Sequence, residues 1–243
     1  MKDYFNELFK SLNYEDFNKE EYWDKYRFED KFVPRVTEIL SAMLHEDYLM
    51  KWSNAMGFKR KKYESILQDS ANIGTLTHNA IENYLLYNTE LGNHYDKRVE
   101  NCFGSFMKWW NIISENDFKI IAIEKQLVCE YFGGTLDLLI EINGEVFLVD
   151  FKTSTYPRNY KYVLQLAAYR YMLREYYNIN TDGCIILGLN KTKIEFDEIL
   201  FHFKKYTDNY LFDIAEQEFL ALVYAYLNRL NIKLQFDKKL EEI

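Results

Sequence analysis

Apolar positions along the chain follow two periods, and the changes between them mark the elements. Val36, Ile39, Leu40 and Met43 recur at helical spacing behind Pro34. Leu76, Ala80, Ile81, Tyr84 and Leu85 do the same behind Gly74, which predicts a helix starting there. A further helix is expected over about 98–114. The pattern then turns strand-like. Residues 119–131 read as one strand, Gly133-Gly134 as a turn, and 135–141 and 145–152 as two more strands. Residues 160–177 read as a long helix. Gly183–Leu189 is a short buried strand, 194–203 another, and the tail from about 207 is helical. Helices, a three-strand meander, a helix, a strand and more helices make an α/β or α+β domain with a mixed sheet, of which α/β is the expected class. The expected organisation is one domain over 1–243, with a core at about 33–203 and helical extensions at 1–32 and 204–243.

Asn143-Gly144 is the sharpest local signal. This dipeptide favours a two-residue type I′ hairpin turn. The turn sets a register in which residues whose numbers sum to 287 face each other. Leu139 then faces Leu148, and Asp137 faces Asp150. Lys152, two residues beyond Asp150, projects from the same face. Two carboxylates opposed in a mostly apolar hairpin repel and are costly to bury. A raised pKa, a cationic side chain or a metal would relieve them. Hard divalent ions prefer carboxylate oxygens, and a neighbouring lysine can hold a water or stabilise charge on a phosphate. The trio therefore points to metal-assisted phosphodiester hydrolysis. Solvated strand ends with a simple Lys–Asp pair are the plainer alternative.

Composition narrows the class. The 48% hydrophobic and 28% charged residues are ordinary for a globular protein, and 9 Gly with 2 Pro exclude low-complexity types. Cys102, Cys129 and Cys184 are widely spaced. They form no disulfide framework, and no Fe–S cluster is expected. No apolar run approaches a membrane span, and the N-terminus is unlike a signal peptide, so no membrane partner is expected and the location expected is the cytoplasm. Abundant Lys, Asn, Tyr and Ile suits an AT-rich coding genome, such as that of many phages; a phage-encoded chain would act in the host cytoplasm. With 30 Lys+Arg against 38 Asp+Glu, the net charge of -8 opposes a nucleic-acid partner at first sight. Its distribution softens the objection: bases concentrate at Lys59, Arg60, Lys61 and Lys62 and over 152–174.

Three motifs follow one another: Gly134-Thr135-Leu136-Asp137, then Asp150-Phe151-Lys152-Thr153-Ser154, then Gln165-Leu166-Ala167-Ala168-Tyr169. Upstream lie Gly74-Thr75-Leu76-Thr77-His78 and Val33-Pro34-Arg35-Val36-Thr37. In this order they resemble the PD-(D/E)XK nuclease superfamily, and within it the RecB-type exonuclease branch, which includes phage exonucleases and the mitochondrial genome maintenance exonuclease. Arg35 stands where that branch usually has Ser. The resemblance implies a restriction-endonuclease-like core with extra helices, a Mg²⁺ or Mn²⁺ cofactor and a DNA substrate, with ends or single strands favoured. It implies that His78, Asp137, Asp150 and the Phe151 carbonyl hold the metal, that Lys152 is the catalytic lysine, and that Glu124 is an acidic member of the site. Gln165 and Tyr169 would shape the site and contact nucleic acid.

Other expectations attach to neighbouring residues. Glu82, one helical turn after His78, is placed to orient it. Thr153 and Ser154 are candidate phosphate donors, and Arg158, Lys161, Arg170 and Arg174 are candidates to line a DNA channel. Trp109 and Trp110 are expected in the core. Two rivals to the exonuclease remain at this stage: a catalytically silent DNA-binding protein on a decayed nuclease fold, and an endonuclease of a recombination or defence system.

Overall fold

The computed structural model describes residues 25–44, 63–92, 94–154 and 158–241. The basic cluster at 59–62 and nearly all of the first segment lie outside them. Strands β1 (Tyr26–Phe28) and β2 (Lys31–Val33) pair as an antiparallel hairpin. Helix α1 spans Val36–Met43, α2 Tyr63–Tyr87 and α3 Lys97–Ile113. Strands β3 (Phe118–Val128), β4 (Gly133–Ile142) and β5 (Glu145–Lys152) form the meander. Helix α4 (Tyr160–Tyr177), β6 (Gly183–Leu189), β7 (Phe196–His202) and α5 (Tyr206–Glu241) complete the chain. The order β3-β4-β5-β6-β7 is antiparallel except at β5–β6, which is parallel because α4 carries the crossover. This is the expected α/β, restriction-endonuclease-like architecture.

The sheet buries both faces. One core packs α1, α4 and α5 against Leu139, Leu148 and Ile186, and includes Phe132, Phe212 and Phe219. The other packs α2 and α3 against Ile140, Val149 and Phe151, with Phe106, Trp109 and Trp110 at its centre, as expected for the tryptophans. Burial on both sides explains why β6 is apolar at nearly every position. Asn143 and Gly144 both have positive φ, 51° and 80°, as the type I′ turn requires. The ladder pairs Ile142 with Glu145 and Leu139 with Leu148, and ends at Leu138 with Val149, so the predicted register holds.

Three expectations fail locally. Gly74 lies inside α2, which begins a full eleven residues earlier at Tyr63; a single glycine costs a helix too little to stop it. Residues 26–33 are a hairpin, not part of a helical extension. Gly133-Gly134 opens β4, and the turn before it closes where the Cys129 N–H donates to the Phe132 carbonyl at 3.0 Å. The glycines answer to packing. A Cβ on Gly133 would lie 2.6 Å from the Tyr26 Cβ, and one on Gly134 would overlap the Tyr169 ring. Tyr26 is also tied to this strand by a 2.8 Å hydrogen bond with the Thr135 hydroxyl.

Arg170 and Arg174 join α4 to α5. The buried Glu216 accepts from Arg170 at 2.9 Å and from both terminal nitrogens of Arg174, at 3.0 and 2.9 Å. Arg170 also reaches Asp213 and Asn209 and lies over the Phe203 ring. Their charges are engaged in holding α4 to α5.

Gly134→Ala should destabilise the fold by about 2 kcal/mol in urea unfolding. In a Tyr169→Ala background that cost should shrink, giving a clear interaction energy in the double-mutant cycle.

Candidate metal centre

The site forms where β4 and β5 part. Beyond the Leu138–Val149 pair the ladder stops, and the Phe151 N–H donates to the Asp137 Oδ2 at 2.6 Å. A side-chain carboxylate thus takes the place of the next ladder carbonyl. Alternation along β5 sends Leu148, Asp150 and Lys152 toward α4, and Phe151 toward α3, where its ring meets Phe106 edge-on. On the other side of β4, Ile123 pairs with Leu138 and Lys125 with Leu136, which brackets Glu124 opposite Asp137. Glu124 has a φ of 42°, a conformation costly for a residue with a Cβ, and β3 carries a register shift between Ile120 and Ala122. Three neighbouring strands therefore present Glu124, Asp137 and Asp150 in a row.

His78 reaches this row from α2. Its Nδ1 lies 3.4 Å from Glu124 Oε1 and 3.5 Å from Asp137 Oδ1, and its Nε2 lies 3.2 Å from the Phe151 carbonyl oxygen. Ligand atoms of His78, Glu124 and Asp137 all fall within 4.8 Å of one another. Glu124, rather than Glu82, orients the imidazole. Of the expected ligands, His78, Asp137 and the Phe151 carbonyl meet here, joined by Glu124, whereas Asp150 lies outside this group of ligand atoms and pairs with Lys152.

Lys152 is held on the far side of Asp150. Its Nζ donates to Asp150 Oδ1 at 2.8 Å and to Gln165 Oε1 at 3.1 Å, and it sits 4.7 Å from the centre of the Tyr162 ring. Gln165 in turn donates to the Tyr169 hydroxyl at 3.2 Å. Tyr169 is buried against Gly134, so it positions Gln165 and offers no open face for stacking on a base.

Asp150 is 1% exposed and Asp137 8%. Burial pushes the Asp150 carboxyl up to about 6, with Lys152 opposing and Asp137 adding to the rise. Burial also opposes ionisation of Asp137, but the His78 charge and hydrogen bond, with Lys152 and the Phe151 N–H, hold it below the usual carboxylate value. Burial likewise disfavours a charged His78, yet Asp137 and Glu124 raise it to about 10. The geometry agrees: both ring nitrogens face acceptors, so both carry protons. Lys152 is desolvated too, but Asp150 and Asp137 keep it charged.

These residues fit a divalent cation. Asp150 Oδ2 is buried without a hydrogen-bond partner; Lys152 Nζ approaches it to 2.7 Å but outside hydrogen-bonding geometry. Such an oxygen is expensive unless a cation satisfies it. One nitrogen and several carboxylate oxygens suit Mn²⁺ or Mg²⁺.

A family model described as PD-(D/E)XK nuclease superfamily matches residues 86–236, well over half of the chain. The chain belongs to the PD-(D/E)XK nuclease superfamily. The matched span contains Glu124, Asp137, Asp150, Lys152 and Gln165, and lies downstream of His78. No curated protein matches the sequence. Among solved structures, the chain is similar to a phage-related exonuclease from Haemophilus somnus 129PT. The identity is 10%, the TM-score 0.37, and the alignment covers 84% of this chain and 96% of that one. It is also similar to SSO0001, at 12% identity and a TM-score of 0.30, covering 74% and 82%. Among the described residues, no helix is long and apolar enough to cross a membrane.

The nuclease site opens into a cleft of about 460 Å³ bounded by His78, Glu124, Gly134 and Gln165, with Lys25, Tyr26, Arg35 and Thr75 around its mouth. Lys25 and Tyr26 escaped the sequence reading because a three-residue strand has no period to detect. Thr153 and Ser154 lie just past Lys152 and border a second cavity beside β6. Arg158 is exposed and pairs with Asp197 at 3.4 Å, and Lys161 donates to Ser41 at 3.3 Å. Neither reaches the acidic row in these contacts.

A metal ion taken up through His78 and Asp150 would displace a proton from the imidazole and require an ionised carboxylate. Mn²⁺ should therefore raise the melting temperature more as pH is raised from about 5.5 to about 8, with Asp150 losing its proton near the lower end. A Tm increment independent of pH would contradict this charge arrangement.

Proposed function

We propose that this nuclease is a divalent-metal-dependent deoxyribonuclease that acts on DNA ends. The observation that carries the reading is the meeting of His78, Glu124 and Asp137, whose ligand atoms lie within 4.8 Å of one another beside the buried Asp150–Lys152 pair, with His78 and Glu124 lining the cleft. The RecB-type order of motifs, from Gly74-Thr75-Leu76-Thr77-His78 to Gln165-Leu166-Ala167-Ala168-Tyr169, supports DNA as substrate and exonucleolytic cutting.

His78, Glu124, Asp137 and Asp150, with the Phe151 carbonyl, would hold the metal. When bound, it supplies Lewis acidity toward a phosphate oxygen and lowers the pKa of a coordinated water. The residues themselves supply position and charge. Lys152, fixed between Asp150 and Gln165, keeps a largely buried ammonium beside the carboxylates, where it would hold the attacking water or neutralise a phosphate oxygen. Gln165 keeps that ammonium from collapsing wholly onto Asp150, and Tyr169 keeps Gln165 in its rotamer. The histidine nitrogen makes Mn²⁺ the better of the two ions for this donor set, with Mg²⁺ also accommodated.

Wild type and Asp150→Asn would be compared on end-labelled single- and double-stranded linear DNA and on covalently closed circles, with Mg²⁺, Mn²⁺ or EDTA. Metal-dependent loss of label from linear DNA is expected, with a fall of about 10³-fold in Asp150→Asn. Cutting of closed circles would overturn the end-directed reading. Equal activity in Asp150→Asn would overturn the assignment of the site.

A further inference from the structure

Beside the metal centre lies a separate cavity of about 320 Å³ with a mixed polar and apolar lining, bordered by Thr153 and Ser154 at the end of β5, by Leu189 and Phe196, and by the β6–β7 loop, including Asn190, Lys191, Thr192 and Lys193. Lys152 pairs with Gly188 across the parallel β5–β6 ladder, so this cavity is one strand removed from the catalytic row. Neighbouring strands lie about 4.8 Å apart. A nucleic-acid strand with one phosphate at Lys152 thus passes within reach of it.

The loop is held more firmly than a surface turn requires. Helix α3 fastens its backbone at four places. The Asn101 amide donates to the Lys191 carbonyl at 2.9 Å, and Lys108 to Ile194 at 2.8 Å. The Ser105 hydroxyl reaches Lys193, and the Cys102 thiol reaches Leu189, both at 3.5 Å. Asn101 and Ser105 are buried polar side chains committed to this task. Within the loop, Asn190 Oδ1 accepts from both the backbone N–H and the hydroxyl of Thr192 at 2.9 Å.

The cavity lining carries two lysines, Lys191 and Lys193, against two carboxylates, Glu195 and Asp197, and both carboxylates already have cationic partners. Glu195 is paired by Lys193 at 2.6 Å, and Asp197 by Arg158. Lys191 donates to the Ser70 hydroxyl at 2.7 Å and to its carbonyl at 3.4 Å. Asp69, the carboxylate next to Ser70, is clasped by both terminal nitrogens of Arg98. Lys191 is therefore a half-buried ammonium solvated by neutral oxygens. With the Thr192 hydroxyl donating to Asn190 Oδ1, the donors offered to a phosphate oxygen are the Asn190 amide, the Lys191 ammonium and the Ser154 hydroxyl, which itself accepts from Tyr162.

We propose that this cavity is a second phosphate subsite, which takes a phosphodiester of the substrate strand flanking the one cleaved at Asp150. The proposal rests on the nuclease reading above for its substrate. Its purpose is alignment: fixing a flanking phosphate on a rigid loop sets the strand's register over Lys152.

Equilibrium binding of a fluorescent single-stranded oligonucleotide in Ca²⁺, as a function of salt, tests it apart from catalysis. Lys191→Ala should weaken binding about 5-fold and reduce the slope of log K against log salt by about 0.7. Lys193→Gln, an exposed change that leaves Glu195 uncompensated, should weaken binding in the same direction, and Lys191→Arg should restore most of the loss. Unchanged affinity and slope in both Lys191→Ala and Lys193→Gln would overturn the subsite. An Arg variant as weak as the Ala variant would also overturn it, since packing alone would then be at work. Wild-type cleavage, scored on the same oligonucleotide in Mn²⁺, separates the two readings: absent cleavage with the Lys191 effect retained defeats the nuclease reading alone.

Discussion

The hydrogen bond from the Phe151 N–H to the Asp137 carboxylate is the constraint on which the site depends. It ends the β4–β5 ladder by substituting a side chain for a backbone acceptor. The two strands can then separate without leaving a buried donor unpaired. Their separation makes the cleft that His78 enters from α2 and Gln165 from α4. It also fixes one oxygen of Asp137, so the other faces His78. A single carboxylate thereby serves the fold and the chemistry together.

The price is concentrated charge in a dry place. Asp137 and Asp150 are buried side by side, and neither Lys152 nor His78 satisfies every oxygen. Such an arrangement is a poor way to stabilise a protein, since buried ion pairs seldom recover their desolvation. It makes sense as preorganisation, with the surrounding apolar sheet supplying the stability that the site consumes. The protonated His78 acts as a resident cation among the carboxylates.

The sequence was legible where local chemistry decides the structure. Asn143-Gly144 determines the turn, and the turn determines the register, which runs to Leu138 with Val149, one residue short of Asp137 and Asp150. The motif order brought in His78, Glu124 and Lys152. The misreadings share a different cause, contacts made across long stretches of chain. Gly133 and Gly134 resemble turn residues until Tyr26 and Tyr169 are seen lying on them. Arg170 and Arg174 suit a DNA channel by position in sequence, but Glu216 on the last helix claims both. Tyr169 looks available for stacking until its ring is found buried. The acidic net charge was the least informative datum, because some of the acid is gathered in the row of carboxylates rather than spread over a surface that DNA would meet.

Strand β3 borders the five-stranded sheet on one side, and the backbone of such a strand is a template for a second molecule's strand. The left-handed turn at Glu124 and the register shift near Ile121 interrupt that template midway, and the exposed Lys119 and Lys125 add charge along it. Near its end, the Tyr177 hydroxyl accepts from the Val128 N–H at 3.0 Å. The irregularity that aims a carboxylate at the metal centre thus also spoils the edge for fibril-like growth. A regularised β3, with Glu124 in an extended conformation, would lose the carboxylate that meets His78 and acquire a sticky border in the same step.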